Sequence, residues 1–351
     1  MKKIIFAVDK NSFNNPDHAG VNIKVASQLE LMRQNGNSAE LLQYTWENGE
    51  LQISVEPDTD VLYFRRIESS LKLIKTLKKC KETSPKLKIL MEIPTYPFAG
   101  ERGRRSLKQT INNILGDILL KKYVDRIALC GVDASVKKVT GIPTLHFNNG
   151  VDYTKLPVNR YQGEADEIHM VCVSGCMLSH GYDRMIKGLE EYYRGNPDRK
   201  IFFHIVGTGD HYDEYVELAD KAGLKDKYVI FHGRQTGEAL DEIYNKCNLA
   251  VAHLAAHRVG LKVISSLKSR EYAIRGIPFI SSTRLDFSGE KTDRYIHYVP
   301  ADETAIDIPA VIEFYDSVYT KENVSDDIRE TFLELCDWKN TFKEVIDYIF
   351  N

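Results

Sequence analysis

The sequence predicts an α/β protein built as two Rossmann-like lobes with a cleft between them. Three observations lead there. The chain has 351 residues, about twice a common single-domain length, so two cores of roughly 150 to 180 residues are the natural division. Short apolar runs alternate with amphipathic ones from end to end, the pattern of strand–helix–strand units on a parallel sheet. That alternation pauses in a polar stretch, VDYTKLPVNRYQGEADE at 151–167, and then restarts. Residues 1–160 are therefore read as the first lobe, 161–335 as the second and 336–351 as a terminal helix.

In the first lobe KKIIFAVD reads as a strand, VNIKVASQLELMRQN (21–35) as a helix and SAELLQY as a strand. DVLYFRR, a helix over SLKLIKTLKKCKET, KLKILMEIP, a basic helical region around 104–122, DRIALCG and IPTLHFNNG complete it. The second lobe opens on IHMVCVSG and continues through KIFFHIVGTG, the helix HYDEYVELADKAG, KYVIFHG, the helix GEALDEIYNKC, LAVAHLA, a helix at 266–275 and IPFISS. In such sheets ligands sit beyond the carboxyl ends of the strands, at the point where strand order reverses.

Composition narrows the classes. With 43% hydrophobic and 28% charged residues, 22 Gly and 11 Pro, the chain is neither disordered nor a disulfide scaffold. The start, MKKIIFAVDKN, has an apolar run too short for a signal peptide, and no stretch approaches a membrane span, so a cytoplasmic protein is expected. The six cysteines form no CxxC pair, which indicates neither a zinc site nor disulfides. The net charge of −3 divides unevenly: residues 1–150 carry 23 Lys+Arg against 16 Asp+Glu (+7), leaving 24 against 34 (−10). A basic first lobe is either a solvated surface or one that attracts an anionic membrane or a phosphorylated substrate. No basic–aromatic recognition motif is present, so no nucleic-acid partner is expected.

Several residue groups carry candidate chemistry. In IVGTGD the strand runs into Gly207 and Gly209, which permit a tight turn and close approach of a ligand, or simply a turn. In ISSLKSREYAIRGIPFI, Ser265 or Ser266 can cap a helix whose first turn holds Lys268, with Glu271 three residues on. A cation there opposes the helix dipole, so Lys268 either points to solvent or sits beside an anion. A diphosphate between Lys268 and the helix amides, with Glu271 accepting from ribose hydroxyls, would use both charges. His180 and Arg184 can share one helical face after the turn at Gly181, or be a turn histidine and a surface arginine. Asp58-Thr59-Asp60 has a metal-binding spacing but precedes its strand, at the wrong sheet edge for a ligand.

The second lobe resembles the retaining family-four glycosyltransferases of GT-B fold. The resemblance runs in order through FNNGVDY (147–153), SHGYDRMIKGL, FHIVGTGD, VIFHGRQTGEALDEIYNKCNLAVAHL, REYAIRGIPFI and CDWKNTFKEVIDYI, the last being similar to a Trp-containing helix that crosses back to the first lobe. YFRR, EIPTYPF, HGYDR and LKSREY are similar to a bacterial branch that assembles surface and capsular polysaccharides. The resemblance implies transfer of a sugar with retention from a nucleotide-diphosphate donor, UDP-sugar first, with no metal and no cofactor beyond that co-substrate. The implied acceptor is a glycan or a polyprenyl-diphosphate glycan, and the implied setting is cytoplasmic or peripheral at the inner face of the membrane. Donor contacts would come from Gly175, His180, Gly207, Gly209, Gly233, Arg234, Arg258, Ser266 and Leu267, and catalysis from Arg184, Lys268 and Glu271. Acceptor contacts would come from Gly20, Arg65, Glu92, Thr95 and Tyr96.

The sequence departs from that family where charge matters. Gly175 and His180 occupy the positions of its Arg and Lys against the diphosphate, and Val263 that of the first of its two glutamates. Arg184 and Lys268 are expected to replace the missing cations, and His257, Arg258 and Gly260 to take over sugar contacts or form a loop without that role. Glu92 is read either as an acceptor-side base or as the ion-pair partner of Arg65 or Arg66. The helix with Ile111, Ile114, Leu115 and Ile118 to Leu120 as apolar positions either lies on a membrane or packs in the core. A UDP-sugar 2-epimerase of the same fold and a non-catalytic partner that binds nucleotide sugar are the alternatives.

Overall fold

The computed structural model describes residues 1–14, 19–48, 50–94, 96, 107–132, 134–161, 166–320 and 323–351. The chain forms two compact units, Met1–Gly150 with Trp338–Asn351, and Val151–Asp337. They divide at Gly150/Val151 and Asp337/Trp338, where the sequence suggests 160/161 and 335/336. The polar stretch after Gly150 belongs to the second unit because its backbone is bound there. Val151 N–H donates to the Cys336 carbonyl at 2.7 Å, Asn159 is held by the carbonyls of Arg275 and Cys247, and Arg329 donates to those of Tyr153 and Leu156. The polarity that reads as a linker is spent on these bonds.

The first unit carries β1 (Lys3–Asp9), β2 (Ser38–Tyr44), β3 (Val61–Arg65), β4 (Lys88–Ile93), β5 (Arg126–Cys130), β6 (Lys138–Val139) and β7 (Ile142–Phe147), in spatial order β2-β1-β3-β4-β5-β7-β6. Pairing is parallel throughout except between β6 and β7. The inner strands read as continuous apolar runs because both of their faces are buried. Its longer helices are α1 (Ala19–Met32), α2 (Leu71–Thr83, capped by the Ser70 side chain on Leu73 N–H) and α3 (Leu107–Leu120). Asp58 pairs with Lys3 Nζ and Asp60 accepts from Lys3 N–H at 2.7 Å, so the Asp-x-Asp lies at the amino edge of the sheet. The tail from Trp338 completes this unit: Asn148 N–H donates to Thr341, His146 N–H to Glu344, and Phe342 packs edge-on against Tyr63 and Phe147.

The second unit carries β8 (Ile168–Val173), β9 (Ile201–Val206), β10 (Val229–Gly233), β11 (Leu249–Val251), β12 (Phe279–Ser281) and β13 (Ile296–Tyr298), with helices α4 (Tyr182–Arg194), α5 (Tyr212–Lys221), α6 (Gly237–Asn245), α7 (Leu267–Arg275), α8 (Ile308–Val318) and α9 (Val324–Cys336). The order is β10-β9-β8-β11-β12-β13, all parallel. This is the doubly wound order in which the chain reverses direction across the sheet between its first and fourth strands. The crevice of this unit therefore opens beyond Val173 and Val251.

Candidate functional site at a strand-order reversal

β8 and β11 pair only at Met170–Leu249 and Val171–Ala250, and beyond that they part. The gap is filled from α7. Tyr272 Oη accepts from Val173 N–H at 2.9 Å, and one turn earlier Lys268 reaches the end of β11, donating to the Ala252 carbonyl at 3.0 Å and to Tyr182 Oη at 3.2 Å. Both can reach because Ser266 caps α7, accepting from Ser269 N–H, and so fixes where the first turn starts. Lys268 is 8% exposed and has no acidic partner among the described residues. Burial lowers its ammonium to about 7, because desolvation penalises the charged form.

A hydrogen-bonded chain leads away from the amine. Tyr182 Oη lies 2.6 Å from Ser174 Oγ, which lies 3.3 Å from His180 Nδ1. That same Nδ1 accepts from Met177 N–H at 3.2 Å. A ring nitrogen that accepts a backbone N–H carries no proton, so His180 is neutral with its proton on Nε2. Burial and the neighbouring Lys268 hold its pKa far below the ordinary value, and do the same for His253, whose ring lies 4.9 Å from that of His180. His253 Nδ1 is buried with no partner among the described residues. The crevice thus holds one uncompensated amine, two neutral imidazoles and the amides of a helix start. It suits an anion.

The other expected donor residues divide into those that shape this crevice and those that are occupied elsewhere. Gly207 and Gly209 have φ of +127° and +151°, and a Cβ at Gly207 would stand 2.1 Å from the Ser174 carbonyl oxygen. Their bareness seats the turn after β9 against the turn after β8, where Cys176 N–H donates to the Thr208 carbonyl. Gly175 lies in that same interlock, and Leu267 follows the Ser266 cap. Gly233 and the exposed Arg234 end β10, away from Lys268 in strand order.

Three charged residues are committed to protein partners. Arg184 is 0% exposed; its guanidinium donates to the carbonyls of Thr304 (2.7 Å) and Leu254 and to Asp302 (3.2 Å). The helical spacing that places it one turn into α4 also turns it into the core, so it is a tie between α4 and two loops instead of a free cation beside Lys268. Arg258 is forked on Asp183 at 2.9 and 2.8 Å and bonds Glu303, which also binds His257. It lines a separate 320 Å³ pocket with Leu178, Lys187 and His211. Glu271 Oε1 accepts from Arg275 at 3.0 Å. Nothing in the sequence marks Tyr182 as the partner of Lys268 or Ser174 as the partner of Tyr182, since they lie 86 and 94 positions from Lys268 and only the fold unites them.

In the first unit Glu92 ends β4, 0% exposed, with Gln28 donating at 2.9 Å and Tyr63 at 2.7 Å to Oε2, and Lys24 Nζ 3.2 Å and Arg65 Nε 3.7 Å from Oε1. Burial pushes its pKa up, but the two cations and the two hydrogen bonds outweigh it and leave the carboxyl below its ordinary range. Glu92 is therefore an ionised anchor tying α1 to β3 and β4. A proton-abstracting base needs the opposite setting. Gly20 stands exposed at the start of α1. Tyr96 is half-buried against the first core, and Thr95 lies outside the described residues.

Comparison with known proteins agrees with this layout. Residues 168–299 match the family model described as glycosyl transferases group 1, a span that holds the crevice residues from Ser174 to Lys268. The match supports glycosyl transfer. Among solved structures the chain is similar to sucrose-phosphate synthase from Thermosynechococcus elongatus (TM-score 0.67, 12% identity, 100% of this chain and 99% of that one). It is also similar to the catalytic domain of starch synthase IV from Arabidopsis thaliana bound to ADP and acarbose (0.60, 10%, 99% and 99%). A third is a TarM mutant from S. aureus in complex with fondaparinux, alpha-GlcNAc-glycerol and UDP (0.54, 12%, 84% and 56%). At these identities the likeness establishes the fold, which is GT-B with two Rossmann-like lobes. No curated protein sequence matches the chain.

Proposed function

We propose that the chain is a glycosyltransferase that moves a sugar, with retention and without a metal ion, from a nucleoside-diphosphate donor to a glycan or lipid-linked glycan. UDP-sugar is the first donor to try. The observation that carries the reading is Lys268: a buried amine with no carboxylate partner among the described residues, at the strand-order reversal of the sheet within residues 168–299, which match the transferase model. Such an amine costs stability unless a ligand supplies the missing charge. A donor diphosphate would do so, and the charge that develops on it as the glycosidic bond breaks would strengthen the interaction in the transition state. Neutral His180, with its proton on Nε2, can donate to a phosphate or sugar oxygen without adding a charge. Solved neighbours holding UDP or ADP together with sugars support the donor and acceptor classes.

A second reading has its own observation. Arg184 and Arg258 are fully paired and Glu271 bonds Arg275, which leaves few charges for catalysis and suits a subunit that binds nucleotide sugar for another transferase. A thermal-shift panel of UDP, GDP, ADP, CMP and dTDP with their sugar derivatives, with and without EDTA, tests the binding step on wild type and Lys268→Met. A base-selective shift that survives EDTA and disappears in the variant is expected. Slow donor hydrolysis on long incubation then separates transferase from binder, and no shift with any nucleotide would sink both.

A further inference from the structure

Outside the crevice, three histidines stand in a row across adjacent strands. His169 lies in β8, His204 in β9 and His232 in β10. Each is offset by two residues from the one before, since His169 pairs with Phe202 and His204 with Ile230. Offsets of two keep all three on one face of the sheet, that of Val171 and Val206, which packs with Ile243 and Tyr244. Their rings are linked: His169 Nδ1 lies 2.9 Å from His204 Nε2, and His204 Nδ1 lies 2.9 Å from His232 Nε2. At the inner end His169 Nε2 lies 3.2 Å from Glu167 Oε2.

Proton counting gives the row a direction. Glu167 is a carboxylate, held below its ordinary range first by Lys200 at 2.9 Å. It only accepts, so His169 donates through Nε2. A neutral His169 then accepts at Nδ1 from His204 Nε2–H, and His204 in turn from His232 Nε2–H. Burial keeps the rings neutral, and Lys246 adds to this at His204 and His232; the ring of Tyr161 packs 6.2 Å from His169. The row ends on the part-exposed ring of His232, whose Nδ1 has no protein partner among the described residues. One proton arriving there leaves every bond intact, because the tautomers can pass its charge along to His169, beside Glu167. A second proton on the rings sets two N–H groups face to face across one of the ring–ring contacts. The contact that yields is His204–His232, because β10 is an edge strand with a neighbour on one side only.

We propose that this row is a one-proton switch at the edge of the second sheet: it takes up one proton with every bond kept, and a second releases β10 and α6 from β9. The switch is independent of the donor reading. Nitrogen NMR of isotope-labelled histidine in the full chain tests the first half, with His169→Gln, His204→Gln and His232→Gln used for assignment. At pH 8 all three rings should carry their proton on Nε2. On acidification they should titrate together and gain one proton between them while the fold persists, and Glu167→Gln should weaken that uptake about 10-fold by removing the counter-charge. Hydrogen exchange tests the second half. The folded row holds two fewer protons than the unfolded chain, so the protection of β10 and α6 is complete above the ordinary histidine range near 6.5. Below it, protection should fall by a factor approaching ~100 per pH unit, with β11 and β12 still protected. A ring protonated on Nδ1 at pH 8, three independent titrations, three imidazoliums in a fold that keeps β10 protected, or β11 and β12 opening together with β10 would overturn the proposal.

Discussion

Replacing Lys268 by Met keeps the side chain's length and removes its amine. In the unfolded chain the amine titrates near 10.4, whereas burial lowers it to about 7 in the folded protein. At pH 7 the folded protein binds this proton more weakly by about 3 pH units, which at about 1.4 kcal/mol per unit is a cost of about 4 kcal/mol. The variant removes that cost and gives up the bonds to Ala252 and Tyr182, together worth about 2 kcal/mol. The net expectation is a variant about 2 kcal/mol more stable than wild type at pH 7. The folded pKa is depressed, so the cost is absent above about pH 10.4, grows as pH falls toward 7 and is constant below that. The advantage of Lys268→Met should therefore shrink by about 2 kcal/mol between pH 7 and pH 9. Urea unfolding of both proteins at both pH values measures this difference, with the other titrating groups cancelling. A variant less stable than wild type at pH 7, or a difference that ignores pH, would refute the view of Lys268 as an uncompensated cation.

Two further substitutions separate structural charges from functional ones. Arg184→Leu should lower stability by about 3 kcal/mol, because the carbonyls of Thr304 and Leu254 lose their donors, while nucleotide-induced stabilisation persists; unchanged melting with about 10²-fold slower transfer would return Arg184 to the reaction. Glu92→Gln should cost about 3 kcal/mol at pH 7 by leaving Lys24 and Arg65 without their counter-charge. Because the Glu92 pKa is depressed on folding, that stabilisation is complete above the ordinary carboxylate range and is lost as pH falls below it. The gap between wild type and variant in denaturant melts should close with acid.

The fold was legible because period and length suffice for it. Strands such as KILMEI and IHMVCV are buried on both faces and announce themselves as apolar runs. The Gly276-Ile277-Pro278 stop after α7 and the Ser266 cap are local signals read without tertiary knowledge. What periodicity could not give was direction. An amphipathic pattern says that α3 has two faces, but not that Gly116, Asn112 and Asn113 would join Leu119 and Leu120 on the inner one while Ile111, Ile114, Leu115 and Ile118 stay exposed. At Arg184 it supplied the face and missed the depth, since a fully buried guanidinium is legible only once the carbonyls of distant loops stand around it. The site was legible at Lys268, where a cation in a first helical turn breaks a local rule, and not at Tyr182 or Ser174, which break none.

The two buried cation clusters differ in one respect, and that difference separates scaffold from site. Lys24 and Arg65 share the carboxylate of Glu92, with Tyr63 and Gln28 completing its hydrogen bonds. That group is almost satisfied within the protein and asks little of a ligand. Arg184 and Arg258 belong with it, each with carboxylates or carbonyls at hand. Among the described residues Lys268 has only a carbonyl and a phenol as acceptors, both neutral, and the neighbouring thiols of Cys172 and Cys176 are kept protonated by burial. Among the described residues no carboxylate pairs with it, and the adjacent imidazoles are held neutral by the same burial. A scaffold gains nothing from such an arrangement, because an apolar side chain of equal length would be more stable there. A protein that meets a polyanion at the strand-order reversal does gain, since the charge it leaves unpaired is the one its ligand brings.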